Sequence, residues 1–111
     1  MEYALLIYSS PEVNDRHQQQ GPSVLAEYEE IAAARGILDG QQLQPVESAT
    51  TVRVENGQAL LTDGPFVAAK EYLGGFYLFE ADNLDAATEM AARIPAARLG
   101  GAIEVRPIME R

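Results

Sequence analysis

The sequence lacks cysteine and tryptophan, and it contains a single histidine. Without cysteine, the chain has no disulfide, no thiol nucleophile and no cysteine-ligated zinc or Fe–S cluster. One histidine leaves no ligand spacing typical of a transition-metal site, so we predict no metal. No apolar run approaches the roughly 18 residues of a membrane-spanning helix, and residues 1–3 show no basic segment of a signal peptide. We therefore expect a cytoplasmic protein without a membrane segment.

Positive charge is also scarce. Eight basic residues stand against seventeen acidic ones, which gives a net charge of −9. This average field repels nucleic-acid phosphates and anionic membranes, so we predict neither as a partner. An anionic small substrate would need an arginine, or the sole lysine Lys70, focused into a cleft.

Motifs for common cofactors are missing as well. The chain has no glycine-rich phosphate loop and no dinucleotide fingerprint. Its serines stand outside any nucleophile-elbow context. We therefore expect chemistry without a cofactor.

The residues that are present suffice for a single domain over 1–111. Residues 10–21 are polar and predict a loop that holds His17, and residues 96–101 predict a second loop. Periodicity and turn residues predict the other elements: a strand over 2–9, a helix over 23–35, a short strand from Ile37 toward Leu43, a hairpin over 50–62, a strand over 73–81, a helix from Asp82 or Asn83 to Ile94, and a strand over 102–109.

The hairpin is the clearest local pattern. Asn56-Gly57 is the preferred pair for a two-residue type I′ turn, and alternating residues flank it. Such a turn would pair Val54 with Ala59 and Val52 with Leu61, on one face of the hairpin.

Without the hairpin, the element order is βαββαβ, which predicts an α+β ferredoxin-like fold with an inserted β-hairpin. Two helices would cover one face of an antiparallel sheet. The other face would carry large side chains, and an uncovered apolar sheet tends to associate. We therefore predict a homodimer that packs sheet against sheet.

Four blocks of sequence resemble the DGPF branch of the YCII-related proteins. They are Tyr3–Tyr8 (YALLIY), Leu61–Phe66 (LTDGPF), Lys70–Tyr77 (KEYLGGFY) and Glu104–Pro107 (EVRP). Together they are distributed, in order, along nearly the whole chain. The resemblance implies a ferredoxin-like subunit of a dimeric α/β barrel.

The resemblance also implies two kinds of function. A few YCII relatives act on small molecules, among them a dehydrochlorinase of chlorinated aromatic breakdown. Other members occur fused to, or beside, extracytoplasmic-function sigma factors. The enzyme branch uses a histidine on its first helix with a nearby aspartate, whereas the helix predicted here over 23–35 has no histidine.

Asp63 and His17 are the candidate catalytic residues. The Asp63 carboxylate either accepts hydrogen bonds from the amides that follow it and stabilises the turn, or lies desolvated beside aromatic rings and transfers protons. Histidine is the side chain that ordinarily titrates near neutral pH, which favours His17 as an acid or base. In the alternative interpretation, His17 is a solvated side chain in a polar loop.

Four further residues are candidates for substrate binding: Tyr8, Phe66, Lys70 and Arg106. Tyr8 ends the first strand and Phe66 follows the Asp63 turn, so each is either a cavity wall or a packing residue. Lys70 and Arg106 either supply positive potential to a cleft or are solvated and paired charges.

Two functions follow from these residues. In the first, a dimer cleft binds a small molecule and Asp63 transfers a proton without a cofactor, as in an isomerase or a lyase. In the second, the protein is a non-catalytic ligand sensor or an accessory module of a sigma factor. The hairpin is also a candidate arm that grips a partner subunit.

Overall fold

A four-stranded antiparallel sheet is the centre of the computed structural model, which describes residues 1–111. Its strands are β1 (Glu2–Ser9), β2 (Ile37–Gln42), β5 (Tyr72–Glu80) and β6 (Ala102–Pro107), in the order β2-β5-β1-β6. This order places the first and third strands of the βαββαβ series at the centre, as in ferredoxin-like folds. The predicted α+β class is therefore confirmed.

Two pairs of helices connect these strands. They are α1 (Pro11–Gln20), α2 (Pro22–Ala32), α3 (Leu84–Arg93) and α4 (Pro95–Arg98). None of them is long and apolar enough to cross a membrane.

The predicted loop over 10–21 is wrong, because these residues form α1. Ser10 caps the helix by accepting a hydrogen bond from the Val13 amide at 3.2 Å, and Pro11 stands in the first turn, where its missing N–H is not needed. Val13 is the only buried residue of α1. A helix with one buried residue leaves almost no apolar periodicity in the sequence, so the pattern resembles a loop.

The predicted loop over 96–101 is wrong at its start for a related reason. Pro95–Arg98 make one short helix, α4, immediately after the extended residue Ile94. Ile94 and Ala96 are fully buried, so packing against the sheet stabilises a turn that small residues alone do not signal.

The hydrophobic core lies between the helices and one face of the sheet. Register places Tyr3 opposite Phe79 and Leu5 opposite Tyr77, and all four side chains are buried on this face. Ile31, Ala87, Met90 and Ile94 from the helices pack against them.

The opposite face of the sheet has no helix over it. Ala4 pairs with Leu78 and Leu6 with Phe76, and these side chains are only half-buried. An apolar sheet face is therefore left partly open within a single chain.

The remaining two strands form a separate hairpin, which we call the arm: β3 (Thr50–Glu55) and β4 (Gln58–Asp63). Val54 lies opposite Ala59 and Val52 opposite Leu61, as a two-residue turn at Asn56-Gly57 requires. The arm pairs with no strand of the main sheet, and its apolar side chains are exposed, with Val54 at 68% and Leu61 at 71%.

Candidate functional site

A cavity of about 560 Å³ opens between helices α1 and α2 and the strands β1, β2 and β5. We call it the helix-side cavity. Its apolar wall includes Ile7, Val24 and Tyr77, and its polar wall includes Ser9, Asn14, His17, Gln18, Tyr28, Gln41 and Gln42. Its size is in the range of small-molecule sites.

His17 is held in this cavity in one defined orientation. Its Nδ1 lies 2.8 Å from the Val13 carbonyl oxygen, and its Nε2 lies 2.8 Å from the Tyr28 hydroxyl. A carbonyl can only accept, so Nδ1 carries a proton and donates it to Val13. Nε2 faces the Tyr28 hydroxyl at the cavity wall, and a hydroxyl can act there as either donor or acceptor.

The local backbone explains why His17 meets Tyr28. Gly21, between α1 and α2, has φ +71° and ψ −152°, a left-handed conformation that favours glycine. The chain changes direction there, and Pro22 begins α2. The two rings then stack with centroids 5.7 Å apart and an interplanar angle of 25°.

The Tyr28 hydroxyl is a protonated phenol at the cavity wall. Burial raises its pKa from 10.0 to about 12, so the phenol keeps its proton near neutral pH. The Tyr77 hydroxyl donates to the Tyr28 backbone carbonyl at 3.0 Å, which ties α2 to the sheet beneath the cavity.

A second polar chain borders the same cavity. The Ser9 hydroxyl donates to Asn14 Oδ1 at 3.0 Å, and Asn14 Nδ2 donates to the Tyr72 hydroxyl. Tyr72 also lines a second cavity of about 580 Å³ at the base of the arm, which we call the arm-side cavity. The Ser9–Asn14–Tyr72 chain therefore lies between the two cavities.

Comparison with known proteins identifies the family of the chain. The model of the YCII-related domain matches residues 1–111. The chain belongs to the YCII-related family. An uncharacterised protein of Rhizobium meliloti (strain 1021) is 32% identical over 117 residues, which span 97% of this chain and 92% of that protein. Membership of the DGPF branch stays a prediction.

Among solved structures, a dehydrochlorinase shares the fold of this YCII-related protein. It is the 5-chloro-2-hydroxyhydroquinone dehydrochlorinase (TftG) from Burkholderia phenoliruptrix AC1100, solved in complex with 2,5-dihydroxybenzoquinone. The TM-score is 0.57 at 18% sequence identity, and the match covers 100% of this chain and 96% of the other. At this identity the likeness shows the fold alone.

The structure places Asp63 away from His17. Asp63 is the last residue of β4, and its exposed carboxylate lines neither cavity and makes no hydrogen bond or ion pair. The turn is instead held by Gly64: its amide donates to the Ala49 carbonyl and its carbonyl accepts from the Thr51 hydroxyl, both at 2.8 Å. The proposed bonds from Asp63 to the following amides are therefore not formed.

The predicted binding residues also lie away from the helix-side cavity. Tyr8 lines the arm-side cavity, next to Pro65 and Val67. Phe66 is 70% exposed, with the Arg53 guanidinium 5.3 Å from its ring centre, so it is not a core residue. Lys70 is exposed and unpaired. Arg106 lies on β6, with its Nε 3.7 Å from Oε1 of Glu104. Of the six predicted site residues, only His17 lines the helix-side cavity.

Three residues of the site were not predicted from the sequence: Asn14, Tyr28 and Tyr72. A helical interpretation of residues 11–20 would have provided a signal, because Val13 and His17 are then four residues apart on one face. The contact of His17 with Tyr28 has no such signal, since it depends on how α1 and α2 pack.

Proposed function

We propose that this protein binds a small molecule in the helix-side cavity and transfers a proton without a cofactor, as an isomerase or a lyase does. The single observation that carries the proposal is the fixed orientation of the His17 ring. Its Nδ1–H is bound to the Val13 carbonyl, so Nε2 is the ring atom that serves as a base at the cavity wall, where its partner is the Tyr28 hydroxyl. General bases need a basic atom within reach of the substrate and a ring that is held in place.

The proton transfer follows from the two hydrogen bonds. A substrate C–H or O–H that reaches Nε2 takes the place of the Tyr28 hydroxyl, and its proton moves to Nε2 while the bonding electron pair stays on the substrate. The released Tyr28 O–H then donates to the oxygen that gains this charge. Return of the proton to another atom is an isomerisation. Where the electron pair of the broken C–H bond forms a double bond and a leaving group departs with the electron pair of its own bond, the step is an elimination.

The imidazolium that this step creates meets two features of α1. Its Nδ1–H already donates to Val13, and positive charge is stabilised in the last turn of a helix, which is where His17 lies in α1.

Exchange of ring protons for deuterium is a direct test. The dehydrochlorinase is named for a chlorinated hydroxyhydroquinone, so we choose hydroxyhydroquinone, handled with air excluded, as the first probe. Its ring C–H exchanges in D₂O through a keto tautomer, which requires proton transfer at carbon. We expect the protein to accelerate the exchange and His17→Gln to lower the rate about 10²-fold or more. Exchange unaffected by the protein, or by His17→Gln, would contradict the proposal.

Asp63→Asn separates this assignment from the one predicted from the sequence. Because Asp63 lies outside the helix-side cavity of its own chain, we expect its amide variant to retain exchange. Loss of exchange in Asp63→Asn with retention in His17→Gln would return the catalytic role to Asp63.

We also propose that the chain forms a homodimer that packs sheet against sheet, as a dimeric α/β barrel. A monomeric protein of 12.1 kDa has about 6,000 Å² of accessible surface, whereas this chain has 7877 Å². The excess is more than the roughly 800 Å² that each partner buries in a standard interface. The radius of gyration of 15.7 Å likewise exceeds the about 13 Å typical of this length.

Light scattering after size exclusion tests the dimer. We expect twice the mass of one chain at micromolar concentration. When residues 52–61 are replaced by a short turn, we expect the mass to fall to that of a single shortened chain. A monomer for the intact chain would contradict the proposal, and an unchanged mass after the deletion would exclude the arm from the interface.

The exposed arm also supports a second function, as an accessory module of an extracytoplasmic-function sigma factor. Val54 and Leu61 offer apolar surface to a protein partner. Co-purification of a sigma factor with the intact chain, lost on deletion of the arm, is the expected result. Capture of no sigma factor from the native host would argue against this function.

A further inference from the structure

The walls of the helix-side cavity carry no charged side chain. None of the lining residues is Asp, Glu, Lys or Arg, although 23% of the chain is charged. His17 lines the cavity with both ring nitrogens already engaged, Nδ1 by the Val13 carbonyl and Nε2 by the Tyr28 hydroxyl. A ligand in this cavity would therefore lose water without meeting an opposite charge.

The arginines of the adjoining elements are already engaged elsewhere. Arg16 on α1 donates to the Leu99 carbonyl at 2.8 Å. Arg98 on α4 is bound by both of its terminal nitrogens to the Glu27 carboxylate, which holds the pKa of Glu27 below its ordinary value and keeps that pair ionised. The net charge of −9 leaves a field that repels anions further.

The cavity is nevertheless rich in neutral polar groups. Gln18, Gln41 and Gln42 line it with exposed side chains, and none of these side-chain carboxamides is hydrogen-bonded within the protein. A free carboxamide both donates and accepts, so these residues match hydroxyl, carbonyl and amide groups of a ligand.

We propose that this cavity selects uncharged compounds that carry hydroxyl, carbonyl or amide groups, and that it excludes carboxylates and ammonium ions. This inference rests on the proposed function in that it assigns the ligand class of the same cavity. It goes beyond that function because it depends on the lining and not on proton transfer. An ion in such a site leaves its charge unpaired, which costs far more than burial of a hydrogen-bonded neutral group.

Three probes that share a phenyl ring test the selection: benzamide, benzoate and benzylammonium. Binding is measured near neutral pH from chemical-shift changes of the backbone amides of α1 and α2. We expect benzamide to bind at least about tenfold more tightly than either ion, because neither ion finds a counter-charge. No binding of benzamide, or equal binding of benzoate or benzylammonium, would overturn the proposal.

A matched pair of variants separates the lining from the net charge. Gln18→Arg adds a positive charge at the cavity, and Gln19→Arg adds the same charge at the neighbouring exposed position of α1, which does not line it. We expect Gln18→Arg to strengthen benzoate binding about tenfold through a charge-assisted contact, and Gln19→Arg to leave it nearly unchanged. Equal effects of the two variants would overturn the proposal, because the preference would then come from the overall field.

Failure of the ligand class can be told apart from failure of the proposed function. His17→Gln is expected to keep the preference for benzamide, since Gln adds no charge to the cavity, while it loses deuterium exchange. Exchange that depends on His17 together with preferred binding of benzoate would overturn the ligand class and leave the proton transfer standing.

Discussion

Removal of the Tyr28 hydroxyl is the sharpest perturbation of the site. Tyr28→Phe keeps the ring, and therefore its stacking on His17, but deletes the O–H that lies 2.8 Å from Nε2. The two side chains otherwise have the same shape, and the backbone of Ala96 is the other hydrogen-bond partner of this hydroxyl.

The expected loss follows from the geometry. A hydrogen bond of this length contributes about 0.5–1.5 kcal/mol net to the free energy of unfolding. His17 is only half-buried, so water can replace the lost donor and the value should lie in the lower half of this range. For a domain of this size, 1 kcal/mol corresponds to roughly 4–8 °C in Tm.

A double-mutant cycle in urea is the appropriate assay. Tyr28→Phe, His17→Leu and the double variant give the coupling energy between the two side chains, which we expect to be at least about 0.5 kcal/mol. Tyr3→Phe is the matched control, because the Tyr3 hydroxyl only approaches the Met1 sulfur at 3.7 Å and does not touch His17.

Additivity would refute the reasoning. Independent sites add within about 0.3–0.5 kcal/mol, so a coupling inside that error would mean that the bond contributes nothing. Nitrogen chemical shifts of His17 provide a second check, since the structure requires the proton on Nδ1. A proton on Nε2 would remove Tyr28 as its donor and with it the proposed base.

Three further predictions concern stability. Ser10→Ala should cost about 1 kcal/mol by removing the cap of α1, measured by urea unfolding; a loss near zero would mean that α1 does not depend on this cap. Leu5→Ala should cost about 2–5 kcal/mol because the side chain is fully buried in the core; a loss below 1 kcal/mol would argue against its position. The third follows from burial, which raises the pKa of Tyr28 from 10.0 to about 12. The contribution of this pKa shift to the free energy of unfolding is fully present below pH 10 and is lost as pH rises through about 12. Melting curves should therefore show a shallower alkaline decline for Tyr28→Phe, and equal slopes would contradict the shift.

Much of the fold could be predicted because its signals are local. The turn pair Asn56-Gly57 with alternating neighbours determines the register of the arm, and the apolar run of residues 3–8 is typical of a central strand. Asn83 caps α3 by accepting from the Ala86 amide, as its position before an apolar stripe indicates. Each of these features depends on residues within a few positions of one another.

The errors occur where tertiary contacts decide the structure. Helix α1 buries only Val13, and its polar composition hid it until the cap at Ser10 and the packing of Val13 were known. Asp63 was predicted in the loop after the hairpin over 50–62 and is instead the last residue of β4, which belongs to the arm and pairs with no strand of the main sheet. Position along the chain therefore indicated a carboxylate site that the topology separates from His17.

By itself, the sequence determined the family, the order of the strands and the chemistry on offer: one histidine, no cysteine and an acidic surface. Only the tertiary structure decided where that histidine lies. The reversal at Gly21 packs α1 beside α2 and sets the His17 ring against Tyr28, eleven residues away, above strands that come from both halves of the chain. Such a meeting depends on the packing angle of two helices against a sheet, which no local pattern encodes.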